Sequence, residues 1–145
     1  MLQRFLADEG ATEQLGAELA MQTPPGGVWL LKGDLGAGKT TWARGFVAGL
    51  GGNPEDVSSP TYAVLHCYET PAGRVFHLDL YRLGSSCIHT LGLEESVGRG
   101  DRLLVEWPGE DGPMPTEWIS TLELVTQDGG RIASWGCLQV PGVRG

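Results

Sequence analysis

The chain of 145 residues is 41% apolar and 19% charged, which is typical of one globular domain, here residues 1–145, with a buried core. Its ten basic and 18 acidic residues give a formal net charge of −8, so strong direct nucleic-acid binding through a basic face is not expected. No segment reaches the roughly 18 apolar residues of a membrane span, and residues 1–10 lack the apolar core of a signal peptide, so we expect a cytoplasmic protein.

The first predicted element is a helix over Glu13–Met21. Thr12 is its expected N-cap, and Leu15 and Leu19 are four residues apart on one face. A Pro-Pro-Gly-Gly segment ends the helix, and the apolar residues that follow predict a strand over Val28–Lys32.

Residues 33–40 read Gly-Asp-Leu-Gly-Ala-Gly-Lys-Thr, a full match to the P-loop pattern between the strand and a helix predicted from about Lys39 to Leu50. Its glycines allow successive backbone N–H groups to turn toward one anion, and the helix N-terminus adds positive potential. Lys39 would reach the β- and γ-phosphates, and the Thr40 hydroxyl would hold Mg²⁺. Because Lys32 is the only other lysine, we interpret the match as a nucleotide site and not as a chance glycine-rich turn.

The remaining predicted elements follow in chain order: strands at Ala63–Tyr68 and Arg74–Leu80, a helix near Ser86–Glu95, a strand at Leu103–Val105, and strands at Thr121–Thr126 and Arg131–Val140. An Asp-Gly-Gly turn at 128–130 favours a hairpin between the last two strands, and the tail 142–145 is expected to be flexible. The pattern predicts an α/β fold: a single P-loop NTPase-like three-layer domain with a mixed β-sheet. Its ligand should lie at the carboxyl ends of the strands.

Two carboxylates are candidates to complete the P-loop site. Alternation places Asp79 on one strand face with His77 and Tyr81, and Glu106 is the first charge after an apolar strand. The alternatives are the wet face of an edge strand for Asp79 and a solvent-facing strand end for Glu106. In Ser-Ser-Pro-Thr-Tyr at 58–62, the Thr61 hydroxyl is placed where a switch residue would sense a γ-phosphate, although an ordinary turn has the same composition.

Cys67, Cys87 and Cys137 are odd in number and contain no Cys-x-x-Cys pair. We expect them to be reduced, partly buried thiols, because this pattern fits neither a disulfide framework nor a zinc site.

Taken together, four segments resemble the TsaE (YjeE-type) bacterial ATPases, in the same order along the chain. They are Gly33–Thr41, Ser59–Tyr62, His77–Leu83 and Glu106–Pro108. The resemblance extends from about residue 8 to residue 110, and the last third of the chain matches only loosely.

The resemblance implies a small ATPase needed to make threonylcarbamoyladenosine beside the anticodon of tRNAs that read codons beginning with A. Its expected cofactors are ATP and Mg²⁺. Such an ATPase docks onto the partner proteins TsaB and TsaD and supports repeated cycles of their complex. The acidic charge of this chain fits that role, because the partners would handle the tRNA.

By matching positions, the resemblance implies that Thr40 and Glu106 bind Mg²⁺ and that Asp79 and Thr61, with Lys39, act in hydrolysis or switching. The positions implied for nucleotide binding are Gly33, Gly36, Ala37, Gly38, Lys39, Thr40 and Thr41 at the phosphates, Trp107 beside the site, and Glu9 and Arg131 near the base. Gly109 departs from the acidic or amide residue that often follows Glu-Trp-Pro in the family.

Asp79 is the candidate for orienting the attacking water, and Arg82 is either a charge-stabilising or a partner-docking residue. Two other functions stay open. A small-molecule kinase would share the phosphate grip, but the segment between Gly84 and Arg102 leaves little room for a lid. A nucleotide-gated docking protein would need ATP binding without hydrolysis.

Overall fold

The computed structural model describes residues 2–33, 38–57, 65–79, 100–106 and 118–138. The helices are α1 (Glu9–Gln22) and α2 (Lys39–Gly49), followed by a short 3₁₀ turn at Pro54–Asp56. The strands are β1 (Leu2–Leu6), β2 (Val28–Gly33), β3 (Leu65–Thr70), β4 (Gly73–Asp79), β5 (Arg102–Glu106), β6 (Ile119–Gln127) and β7 (Gly130–Leu138). None of the helices in these ranges is long and apolar enough to cross a membrane.

The seven strands form one mixed sheet in the order β1-β7-β6-β2-β5-β4-β3. The four central strands, β6, β2, β5 and β4, run parallel to one another, whereas β3 pairs antiparallel with β4, β7 pairs antiparallel with β6, and β1 pairs antiparallel with β7. The predicted α/β fold with a mixed sheet is therefore confirmed. The carboxyl ends of the central strands meet at one edge, which is where an α/β sheet binds its ligand.

Both helices pack on the same face of the sheet. Leu15 and Leu19 of α1 and Phe46 of α2 belong to one buried apolar cluster with alternate residues of the central strands, and Trp29 of β2 contacts the ring of Trp42. The opposite face is also buried along the central strands, at Val28, Phe76, Leu78, Leu103 and Val105. Burial on both faces is what a three-layer domain requires, but the helix predicted near 86–95 lies outside the described residues.

Glycines bring the two helices into close contact. A Cβ at Gly16 would meet the Trp42 carbonyl oxygen, and a Cβ at Gly45 would meet the Glu13 carbonyl oxygen. A Cβ at Gly49 would lie 2.7 Å from the Cα of Ala17 in α1. Because backbone packs on backbone here, the position of α2, and hence of Lys39 at its start, is fixed closely against α1.

The start of α1 differs from the prediction. Thr12 is not the N-cap: the helix begins at Glu9, and the Asp8 carboxylate caps it by accepting a hydrogen bond from the Ala11 N–H at 2.8 Å. Thr12 is fully buried inside the helix, and its hydroxyl donates to the Asp8 carbonyl oxygen. Asp8 and Thr12 are both capping residue types one turn apart, and the earlier one takes the role.

Strand β1 was not predicted. It pairs antiparallel with β7, and Gln3 donates a hydrogen bond to the Ser134 hydroxyl across the two strands. Arg4 pairs with Glu18 of α1 at 2.7 Å. The other predicted strands and α2 occur within a few residues of their expected bounds. Cys67 is exposed, so the expectation of a partly buried thiol is wrong there; the side chains of Cys87 and Cys137 lie outside the described residues.

Candidate functional site

The segment that matches the P-loop connects β2 to α2 at the carboxyl edge of the sheet. Gly38 is the N-cap of α2 with a φ of +106°, a conformation that side-chain-bearing residues rarely adopt. Its carbonyl oxygen accepts the Trp42 N–H at 2.8 Å, which closes the first helical turn. The first turn of α2 includes Lys39, Thr40 and Thr41, and the backbone N–H groups in the first turn of a helix point toward the helix N-terminus, an orientation that suits an anion.

Lys39 turns back across this segment. Its side chain is only 4% exposed, and its ammonium donates a hydrogen bond to the Gly33 carbonyl oxygen at 2.7 Å. A cation inside a protein needs such acceptors, and a phosphate is a stronger one than a carbonyl. Thr40 is half-buried at the second position of α2, and Thr41 is buried.

Glu106 lies beside this segment because of the strand register. It ends β5, where it is opposite Leu31 of β2, two residues before Gly33, and opposite Asp79 of β4. Glu106 is only 5% exposed. The alternative of a strand-end carboxylate facing solvent is therefore wrong.

The buried Glu106 carboxylate is held by a histidine. Its Oε2 atom lies 2.5 Å from Nε2 of His77, which is fully buried on β4. The other ring nitrogen of His77, Nδ1, lies 3.5 Å from the hydroxyl of the buried Tyr68 on β3. Because β4 has β5 on one side and β3 on the other, it is not an edge strand, and the proposed wet face is wrong for this part of it. The sequence predicted His77 on the same strand face as Asp79. Its contact with Glu106 could not be predicted, because that contact depends on the register between β4 and β5.

Two residues from distant parts of the chain reach the same edge. Arg131, at the start of β7, lies against Gly38, since a Cβ at Gly38 would be 2.9 Å from Arg131 Nε. Arg131 pairs in register with Leu6, and α1 begins three residues further on at Glu9, whose side chain is exposed. Glu9 and Arg131 are therefore at the edge that carries the glycine-rich segment.

Several predicted site residues fall outside the described part of the chain. These are Gly36, Ala37, Thr61, Arg82 and Trp107, together with the side chain of Asp79. Of the described ranges, none contains a cluster of three or more His, Cys, Asp or Glu side chains able to hold a metal ion. Thr40 and Glu106 each offer the hard oxygen donor that Mg²⁺ prefers, and Mg²⁺ usually needs only one or two such protein ligands beside phosphates and water.

The charged groups at the opposite edge of the sheet serve the fold. Arg102 is buried, and burial lowers the pKa of its guanidinium, which donates to the carbonyl oxygens of Thr23 and Ala72. Arg74 makes two hydrogen bonds to Asp101, which raise the pKa of the arginine. These contacts tie β4 and β5 to neighbouring turns and leave the carboxyl edge as the candidate site.

The mixed sheet, with a strand, a glycine-rich segment and a helix at its carboxyl edge, places the protein in the α/β class and its candidate site at that edge. Comparison with known families narrows it further. The family model described as "Threonylcarbamoyl adenosine biosynthesis protein TsaE" matches residues 6–132. The chain belongs to the TsaE family of threonylcarbamoyladenosine biosynthesis proteins.

Individual relatives agree with this assignment. The tRNA threonylcarbamoyladenosine biosynthesis protein TsaE of Synechocystis is 40% identical over 121 residues, which cover 81% of this chain and 70% of that protein. The Nostoc protein of the same name is 36% identical over 138 residues, or 92% of this chain and 84% of that protein. The crystal structure of Bacillus subtilis YdiB superimposes with a TM-score of 0.71 at 27% identity, covering 96% of this chain and 86% of that one.

Proposed function

We propose that the protein is a Mg²⁺-dependent P-loop ATPase that supports threonylcarbamoyladenosine formation on tRNA together with TsaB- and TsaD-type partners. The observation that carries the proposal is Lys39, a buried ammonium at the first turn of α2 that folds back to the Gly33 carbonyl oxygen at 2.7 Å. A cation held inside a glycine-rich segment at a helix N-terminus is suited to β- and γ-phosphates. We expect the protein to act in the cytoplasm.

Each candidate site residue has an expected role in ATP binding or hydrolysis. The Lys39 ammonium and the N–H groups at the start of α2 would bind and neutralise the phosphates. Thr40 and Glu106 would hold Mg²⁺, which supplies charge neutralisation on the phosphate oxygens when bound. Asp79 would orient the water for in-line attack on the γ-phosphorus, and Thr61 would respond to the γ-phosphate. Arg131, beside Gly38, would contribute a second positive charge near the nucleotide.

The first experiment compares ATP binding and phosphate release for the wild type, Lys39→Ala and Lys32→Ala. Lys32 is a matched control, because it is the only other lysine and is exposed on β2. We expect Lys39→Ala to abolish both activities and Lys32→Ala to retain them. Phosphate release by Lys39→Ala at the wild-type rate would overturn the proposal.

The same assay separates the two other functions. A kinase would release little phosphate without an acceptor, whereas an ATPase needs only water. A docking protein gated by nucleotide would keep its role in Asp79→Asn, which we expect to bind ATP without hydrolysing it. Loss of tRNA modification in a reconstituted system by Asp79→Asn, with TsaB and TsaD partners still bound, would support turnover as the required step.

A further inference from the structure

Three buried polar groups form a connected line behind the proposed Mg²⁺ site. Tyr68, His77 and Glu106 belong to three adjacent strands and are 4%, 0% and 5% exposed. The line runs from the Tyr68 hydroxyl to His77 Nδ1 at 3.5 Å and from His77 Nε2 to Glu106 Oε2 at 2.5 Å. Buried polar groups are costly unless they are hydrogen-bonded, so each member of the line depends on the next.

The strand register produces this arrangement. His77 is directly opposite Leu104, and Glu106 lies two residues further along the same parallel strand. Residues two apart on a strand share a face, so the ring of His77 reaches diagonally to the carboxylate. Tyr68 reaches His77 by the same diagonal contact, because Tyr68 is opposite Val75 and His77 lies two residues further along β4.

The hydrogen bond restricts the carboxylate. With Oε2 engaged by His77, the Glu106 group cannot rotate freely about its last bond, and Oε1 is its remaining oxygen. Groups of this kind, one step behind a ligand, orient metal-binding side chains, and their loss typically costs about 10- to 100-fold in metal affinity. Because a carboxylate accepts hydrogen bonds, His77 donates to Glu106 in the ring form that carries its proton on Nε2, and the Tyr68 hydroxyl can donate to Nδ1 of that same form.

We propose that His77 is a positioning residue: it fixes the Glu106 carboxylate so that the remaining oxygen faces the Mg²⁺ that accompanies the nucleotide, and Tyr68 sets the orientation of the His77 ring. The inference rests on the proposed function and adds to it a residue that touches neither nucleotide nor metal. It also explains why a histidine with no exposed surface occupies β4.

The test measures nucleotide affinity twice, with a fluorescent ATP analogue in EDTA and in a Mg²⁺ titration. We expect His77→Leu to leave the EDTA affinity close to that of the wild type and to raise the Mg²⁺ midpoint by about 10- to 100-fold. His77→Gln keeps an N–H donor near the Nε2 position and should recover most of that shift. Val75→Ala, also buried on β4, is the control for a general loosening of the strand.

The outcomes distinguish the two proposals. A wild-type protein whose nucleotide binding ignores Mg²⁺ would overturn the proposed function and this inference with it. A wild type that responds to Mg²⁺, with His77→Leu unchanged or with Val75→Ala shifted equally, would overturn the inference alone. If His77→Leu does not fold, Tyr68→Phe decides: a rise in the Mg²⁺ midpoint of about two- to tenfold supports the positioning line, and no rise overturns it.

Discussion

The contact between α1 and α2 makes a sharp prediction for Gly45→Ala. The new Cβ would meet the Glu13 carbonyl oxygen and would lie 2.6 Å from the Glu13 carbonyl carbon and 2.7 Å from its Cα. All three atoms are backbone, so no side chain can rotate away. The two helices must therefore move apart, which opens the core around Phe46 and Leu15.

Typical energies of overpacking and of helix propensity bound the expected loss in the free energy of unfolding. Overpacking of a core typically costs about 1–3 kcal/mol, and clashes with backbone lie at the upper end. Replacing a helical glycine with alanine also stabilises the helix by up to about 1 kcal/mol, because alanine has the higher helix propensity. We therefore expect Gly45→Ala to lower the free energy of unfolding by about 2 kcal/mol, a large share of the roughly 5–15 kcal/mol that stabilises a domain.

Urea unfolding followed by tryptophan fluorescence measures this loss as a lower midpoint at unchanged slope. Gly10→Ala is the matched control in α1, where the new Cβ would have only Asp8 Oδ1 at 3.4 Å. That variant should gain about 0.4–1 kcal/mol. A Gly45→Ala protein as stable as Gly10→Ala would refute the close helix contact.

Three further predictions concern the cap, the glycine-rich segment and a thiol. Asp8→Ala removes the N-cap of α1 and should cost about 1 kcal/mol in the same urea assay, whereas Thr12→Ser should keep the helix start unchanged. Gly38→Ala forces a side chain into a φ of +106° and against Arg131, so about 1–3 kcal/mol of strain should weaken ATP-analogue binding; unchanged affinity would contradict it. Desolvation raises the pKa of the Cys67 thiol above that of a free cysteine, with the Arg74 charge opposing. Less thiolate is then present at a given pH, so alkylation of Cys67, followed by peptide mass spectrometry, should reach half its maximal rate at a higher pH than alkylation of free cysteine does.

Local sequence patterns were enough to predict β2, the glycine-rich segment and α2. The apolar run of β2, the glycines that follow it and the lysine at the start of α2 are consecutive, so propensity and spacing place all three. The hairpin between β6 and β7 followed from its Asp-Gly-Gly turn, and Asp128 indeed adopts a positive φ of 48°.

Features that depend on distant pairing were not accessible in this way. β1 has exposed Leu2 and Phe5 on opposite faces, and this gives no alternation; its strand character comes from β7. The contact of His77 with Glu106, two residues that are 29 positions apart in the chain, depends on the register between β4 and β5. The choice of Asp8 over Thr12 as N-cap depends on the burial of Thr12.

The pairing of β1 with β7 also has a consequence for synthesis. Gln3 and Ser134, which are hydrogen-bonded across these strands, are separated by 131 residues. At about 5–20 residues per second, a ribosome needs roughly 7–26 s to make the second strand after the first. During that interval Leu6, which is fully buried in the folded domain, has no β7 beside it, so the nascent segment exposes this residue to chaperones until β7 is made. The edge of the finished sheet is thus the part of the molecule whose order of assembly is set by translation.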